Sequence, residues 1–247
     1  MPPLPPIMQE HPVATRQSDA FLSLAQHSLT RDSAFAYRCH RCTRCCSQYR
    51  IPVGPFDLLL LAKELELSTT DVIRRHIVDG LYLRRQDDGA CAFLNERGCS
   101  VHGGRPLVCR IYPLAHSVTQ GQESFGAMEP VSGSAGQWGR TDTVRGYLEQ
   151  QGAIAAIEGV DFYLDLHAQL QRRLEDAPLD QYVELGAGWS ELGGTGIAAL
   201  GMLDPDAAIE RYCNGHHLPR PQEMMDKARC HARALHEWMD EQLEQLT

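Results

Sequence analysis

The chain has 247 residues, 43% of them hydrophobic, with nine cysteines and a formal net charge of −9. That length and apolar content support a core without disulfide staples, and an odd cysteine count cannot be fully paired. The acidic balance argues against general nucleic-acid binding. No apolar run is long enough to cross a bilayer, and the opening MPPLPPIMQEHPVATRQ lacks the basic and apolar regions of a signal peptide. The expectation is a cytoplasmic protein whose thiols are reduced or metal-bound, with no nucleic-acid or membrane partner.

Residues 1–15 are proline-rich and read as disordered, and a helix is expected over 18–29. A cysteine-rich knot follows, then a short strand in YRIPV. PFDLLLLAKELEL reads as a helix with Pro55 early and Asp57 in its first turn. STTDVIRRHI opens another, because Ser68 and Asp71 stand at capping-box spacing. GLYLRR reads as a strand, and DDGACAFL as a turn into a second thiol-bearing segment. PLAHSVTQGQESFGAM reads as a hairpin turning at Gln120–Gly121.

Beyond Thr141 the pattern is helical. TVRGYLEQQ and VDFYLDLHAQLQRRLED are amphipathic, with Tyr163, Leu166, Leu170 and Leu174 at 3–4 spacing. GTGIAA (194–199) fits a dinucleotide-loop pattern but follows a poor strand, so a flexible glycine loop is the better reading. DPDAAIERYCNG carries a full helix signature, with Asp204 as N-cap, Pro205 at N1 and Asn214–Gly215 as the stop. Cys213 and His216 have ligand spacing, and His217, Cys230 and His231 lie nearby. Cys213 nevertheless shares a helix face with Ile209 and Tyr212, which favours a packed core thiol. A last helix is expected over 221–243.

The chemistry concentrates in CHRCTRCCSQYR, residues 39–50. Cys39, Cys42 and Cys45 are spaced C-x2-C-x2-C, and Cys46 follows directly. Two cysteines at x2 spacing turn both sulfurs onto one metal, and three in succession match the first ligands of a bacterial ferredoxin run. Adjacent Cys45 and Cys46 point in different directions, so they serve two metals or one of them packs. Cys91, Cys99 and Cys109 lie downstream, with His40 and His102 as the nearest histidines. Thiol–disulfide exchange at Cys39-His-Arg-Cys42 is disfavoured, because more cysteines follow where a helix should begin. Five arginines (Arg31, Arg38, Arg41, Arg44, Arg50) against the single acid Asp32 surround the knot, and their charge suits a negative metal–thiolate centre.

FAYRCHRCTRCCSQYRIPVGPFDLLLLAKEL and CAFLNERGCSVHGGRPLVCRIYPL resemble the YkgJ, or CxxCxxCC, cysteine-cluster family of zinc- or iron-chelating proteins, over about 35–118. The resemblance implies that Cys39, Cys42, Cys45, Cys46, Cys91, Cys99 and Cys109 form the metal-binding cluster. Arg105, Pro106, Arg110 and Pro113 are then its supporting residues, with Arg105 and Arg110 facing the bound centre. GQWGRTDTVRGYLEQQGA looks like a family continuation. Three positions depart from the pattern. Thr43 stands where many relatives have Gly, His102 where many have an aromatic residue, and Glu129–Pro130 near the place of a further Cys-Pro-Gly. A flagellin lysine methylase is distantly similar in the cysteine region and carries an iron–sulfur cluster.

The resulting expectation is an α+β fold, mostly helical, with a small β element beside a cysteine-rich metal-binding core. A leader over 1–33 precedes a cysteine-cluster domain over 34–130 and a helical region over 131–247 packed on it. The centre is expected to be an iron–sulfur cluster of the 4Fe–4S type, held by Cys39, Cys42, Cys45 and one of Cys91, Cys99 or Cys109. Zinc or mononuclear iron is the alternative cofactor. A zinc-binding structural or trafficking module and an iron–sulfur-dependent protein lysine methyltransferase are the alternative functions. The expected partner is the metal or cluster itself, and sequence names no protein partner, catalytic residue or substrate.

Overall fold

A computed structural model describes residues 27–79, 82–119, 121–139, 141–175 and 204–245. The proline-rich leader and the GTGIAA loop lie outside the described residues. The fold is α+β, mostly helical, with small antiparallel strand pairs. Its nine short strands are β1 His27–Leu29, β2 Tyr37–Arg38, β3 Ile77–Val78, β4 Tyr82–Leu83, β5 Leu94–Asn95, β6 Gly98–Cys99, β7 Leu114–Thr119, β8 Gln122–Ala127 and β9 Gln137–Trp138, counted among the described residues. The helices are α1 Arg44–Gln48, α2 Pro55–Leu65, α3 Thr69–His76, α4 Leu107–Ile111, α5 Val144–Gln150, α6 Ile154–Glu175, α7 Pro205–Gly215 and α8 Met224–Gln245. No helix among the described residues is long and apolar enough to cross a membrane.

Local chemistry sets most helix starts. Pro55 opens α2, and Asp57 reaches back to accept from the Gly54 N–H at 3.1 Å. Ser68 accepts from the Asp71 N–H at 3.1 Å to start α3, and Asp204 accepts from the Ala207 N–H at 3.4 Å to start α7. The expected hairpin forms as β7 and β8, with Thr119 paired to Gln122 across a two-residue turn in which Gly121 takes φ +75°.

Two expectations change. Of the helix expected over 18–29, residues 18–26 lie outside the described residues, and 27–29 are strand β1 instead. Its backbone pairs antiparallel with Phe125 and Gly126 on β8, so a tertiary ladder overrides the local helical pattern. The strand in YRIPV shrinks to one bridge between Pro52 and Tyr82, and Ile51 accepts from the Leu83 N–H at 3.0 Å.

Helix α2 is the spine of the molecule. Phe56 and Leu59 pack with Tyr163, Leu166 and Leu170 of α6 and with Ala228, Leu235 and Met239 of α8. Leu58, Leu61 and Ala62, on another face, pack with Val72, Leu83, Phe93 and Val101. A helix apolar on both faces is a buried helix, which explains the unbroken leucine run. α6 approaches it so closely that a Cβ on Gly159 would stand 2.3 Å from the Phe56 ring. A third apolar cluster joins Leu107 and Ile111 of α4 to the hairpin (Leu114, Phe125), to Tyr147 and Leu148 of α5, and to Ile157 of α6. The helices at the far end are tied to α3 by paired caps. Thr69 donates its N–H to Asp206 at 2.8 Å and its hydroxyl to Asp204 at 2.7 Å, and accepts from the Asp206 N–H at 2.9 Å.

Candidate metal centre

Cys39, Cys42, Cys45, Cys46, Cys91, Cys99 and Cys109 all line one cavity of about 510 Å³. They come from separate stretches of chain. Cys39 follows β2, and Cys42 lies just before α1. Cys45 and Cys46 are on α1, Cys91 is at a bridge to Arg85, Cys99 is on β6 and Cys109 is on α4. Hydrogen bonds to backbone carbonyls hold the segments together. The Cys91 N–H donates to the Cys46 carbonyl at 2.9 Å, and Arg85 donates to the Ser47 carbonyl at 2.8 Å. Asp57 ties the α4 segment to α2: its buried carboxylate accepts from the Leu107 N–H at 2.8 Å, two residues ahead of Cys109.

The knot bends through two left-handed residues, Arg41 at φ 53° and Thr43 at φ 63°. The second explains the Gly that the resemblance leads one to expect at this place. A branched side chain there is strained where glycine is not. The bend sends Cys42 toward the loop after β8, where its Sγ accepts from the Ala135 N–H at 3.4 Å and lies 3.9 Å from Ser134 Oγ. Sequence reasoning missed Ser134 and Ala135, whose one signal is the small-residue run SGSAG.

The thiols are electrostatically unlike one another. At Cys42 burial opposes ionisation, but the N–H groups of Ala135 and Arg44 outweigh it and hold the thiol below its usual range. Cys46 is pushed up by Cys45, whose sulfur is 4.0 Å away, and by burial. Burial pushes up Cys91, Cys99 and, most strongly, Cys109. A deep thiol without a cation keeps its proton, so a metal there must displace it.

The counter-charge does not come chiefly from the five arginines of the knot. Arg31 pairs with Glu123 at 2.7 Å, and Arg50 pairs with Asp79 at 2.5 Å while lying 4.1 Å over the Tyr82 ring. Of the five, Arg41 and Arg50 line the cavity. The cations set deepest beside the thiols are Arg105 and Arg110, each 8% exposed. Arg105 donates to neutral groups: the His102 carbonyl at 2.5 Å, His102 Nδ1 at 3.2 Å and Gln151 Oε1 at 3.2 Å. Arg110 donates to the Gly103 carbonyl at 2.5 Å and the Gly152 carbonyl at 3.5 Å. Burial lowers the pKa of both guanidiniums, an energetic cost that an anionic centre in the cavity would offset.

His40 and His102 also line the cavity. Burial and then Arg105, Arg41 and Arg110 push His102 down to about 4, so it is neutral at pH 7. Its Nδ1 accepts from Arg105, which puts the ring proton on Nε2 and makes His102 an orienting partner for that arginine. Among the described residues no three of the cavity sulfurs lie within 4.8 Å of one another. Cys213 and Cys230 are elsewhere, buried with Ile209 and Tyr212 between α7 and α8, as helix-face placement predicts for Cys213.

Residues 38–131 match the model of the CxxCxxCC family, described as "Putative zinc- or iron-chelating domain". The matched stretch contains all seven cavity thiols and supports metal binding by cysteines. No curated protein and no solved structure matches the chain.

Proposed function

We propose, from the premise that residues 38–131 are a CxxCxxCC domain, that the chain is a cytoplasmic metalloprotein holding an iron–sulfur centre of the 4Fe–4S type. Cys39, Cys42 and Cys45 would hold it together with one of Cys91, Cys99 or Cys109. Cys46 and the remaining thiols would line its surroundings, and Arg105 and Arg110 would face its negative charge.

The observation that carries this reading is the cavity itself, where seven thiols and two buried arginines surround one space of about 510 Å³. The sulfur spacing favours a polynuclear centre. Four sulfurs about 2.3 Å from a single zinc stand about 3.8 Å from one another, which requires a tight set of neighbouring sulfurs. A cluster, larger than one ion, accepts sulfurs set wider apart. Such a centre supplies one-electron chemistry when bound. The protein's own part is to gather thiols from separate segments, orient Arg105 through His102 and Gln151, and present Cys42 to the Ala135 N–H. The division into a cysteine-cluster unit over 34–130 and a helical region over 131–247 is part of this proposal. It is supported by the confinement of all seven thiols to 39–109.

The test is a joint assay of iron, zinc and acid-labile sulfide on protein purified without oxygen. Iron and sulfide in a brown, oxygen-sensitive protein are expected. Stoichiometric zinc without sulfide overturns the cluster and leaves a zinc module.

A further inference from the structure

Away from the thiols, side chains of three elements converge: His116 on β7, Glu123 on β8 and Asp161 on α6. In the hairpin register His116 faces Phe125, and Glu123 lies two residues before Phe125 on β8, on the same face. One donor atom from each of the three side chains lies within 4.8 Å of the other two.

The individual distances are informative. His116 Nε2 is 3.4 Å from Glu123 Oε1 and 3.6 Å from Asp161 Oδ1. Both exceed the range of about 2.7–3.2 Å for a good N–H···O bond. They approach instead the edges of about 3.0–3.4 Å between N and O ligands set about 2.1 Å from a metal, octahedral or tetrahedral. The His116 side chain is 4% exposed, and its Nε2 and Asp161 Oδ1 are buried with no hydrogen-bond partner. Buried polar atoms almost always have a partner, so two of them aimed at one point call for a ligand between them.

The surroundings suit a cation. Arg31 donates from Nε and Nη2 to the two Glu123 oxygens, at 2.7 Å each, which fixes that carboxylate. The Phe125 ring packs on the imidazole at 5.3 Å between centroids. Two carboxylates and one guanidinium surround the imidazole.

We propose that His116, Glu123 and Asp161 form a second metal site, for a divalent first-row cation, separate from the thiol cavity. Its one nitrogen and two oxygen donors are harder than thiolates, so it accepts Mn²⁺, which the soft cavity does not select. The protein thereby sorts metals by donor type. Three protein ligands leave coordination positions for water on the side where Asp161 and Glu123, 33% and 26% exposed, meet solvent.

The test is titration of untagged full-length protein with Mn²⁺, followed by electron paramagnetic resonance. One Mn²⁺ per chain is expected, with ¹⁴N coupling from a bound imidazole. Asp161→Asn and His116→Gln should each weaken binding at least tenfold, and His116→Gln should also remove the ¹⁴N coupling. Cys42→Ser and Cys109→Ser should leave Mn²⁺ binding unchanged, so the result stands or falls independently of the thiol centre. Should His116→Gln fail to fold, the wild-type ¹⁴N signal and the half-exposed Asp161→Asn still decide. A wild type that binds no Mn²⁺, binding without ¹⁴N coupling, or binding unmoved by Asp161→Asn overturns the proposal and leaves a histidine packed beside two carboxylates.

Discussion

The nine cysteines occupy two regions that treat a thiol in opposite ways. Between α7 and α8, Cys213 is 1% exposed, its sulfur is 3.7 Å from that of Cys230, and its neighbours are Ile209 and Tyr212. There the sulfur is a small apolar group filling a helix contact. In the cavity the seven thiols are mostly half-buried and share their space with Arg105, Arg110 and neutral imidazole. Proximity of two sulfurs is thus no sign of a metal centre. The closest sulfur pair described lies in the apolar region, and what sets the cavity apart is buried positive charge around an open volume.

The sharpest way to break this contrast is to remove thiols from each side. Cys39→Ser, Cys42→Ser and Cys45→Ser should each lose most bound metal, while Cys213→Ser and Cys230→Ser should keep it. Metal per chain, measured on all five variants, decides, and full loss in Cys213→Ser would erase the distinction.

Metal removal should separate the regions physically. Structural zinc in small peptides is worth about 10–16 kcal/mol, comparable with the whole margin of about 5–15 kcal/mol for a domain. Hydrogen exchange after chelation should show lost protection over 39–48 and 91–109. α2 should stay protected with α6 and α8, on which Phe56 and Leu59 pack. Unchanged protection at 91–109 would show that the cavity stands without its metal.

The thiols should also be distinguishable by pH. Burial raises Cys91 and Cys109, so at pH 7 both carry protons that a metal must displace. Proton competition strengthens as pH falls, so affinity should drop by about tenfold per pH unit for each protonated ligand thiol. Proton release during metal uptake in weak buffer measures this. No release at pH 7 would mean that the deep thiols are not ligands.

The smallest effect concerns the bend. Thr43→Gly should stabilise the holo protein by about 1 kcal/mol, because φ 63° costs glycine nothing. A lower melting temperature would show that the Thr43 hydroxyl, which donates to the Cys42 carbonyl at 2.7 Å, matters more than the strain.

What could be read from the sequence was what short-range chemistry decides. The caps at Ser68 and Asp204, the Gln120–Gly121 turn and the clustering of thiols are all encoded within a few residues. β1 was not legible, since its partner on β8 lies almost a hundred residues away in the chain. Nor was the source of the cavity's charge. Of the arginines adjacent in sequence, Arg31 pairs with Glu123 and Arg50 with Asp79, while Arg105 and Arg110 come from the segment of α4 and the residues just before it. Asp57 looked like a first-turn acid, and only the folded chain shows its other oxygen holding Leu107. His116, Glu123 and Asp161 gave no spacing signal at all, because a strand diagonal and a distant helix bring them together.

The leucine run of α2 has a consequence for how this sequence can drift. From Phe56 to Ala62 no position is exposed, and the apolar residues divide between two cores. An ordinary surface helix confines its intolerant sites to a stripe and leaves the rest free to vary. Here a saturation scan should return two turns in which every apolar position rejects a polar replacement and Asp57 rejects an apolar one. Half of those rejections would be felt among the C-terminal helices and half beside the thiols, so an inherited lesson about one region is written in the other.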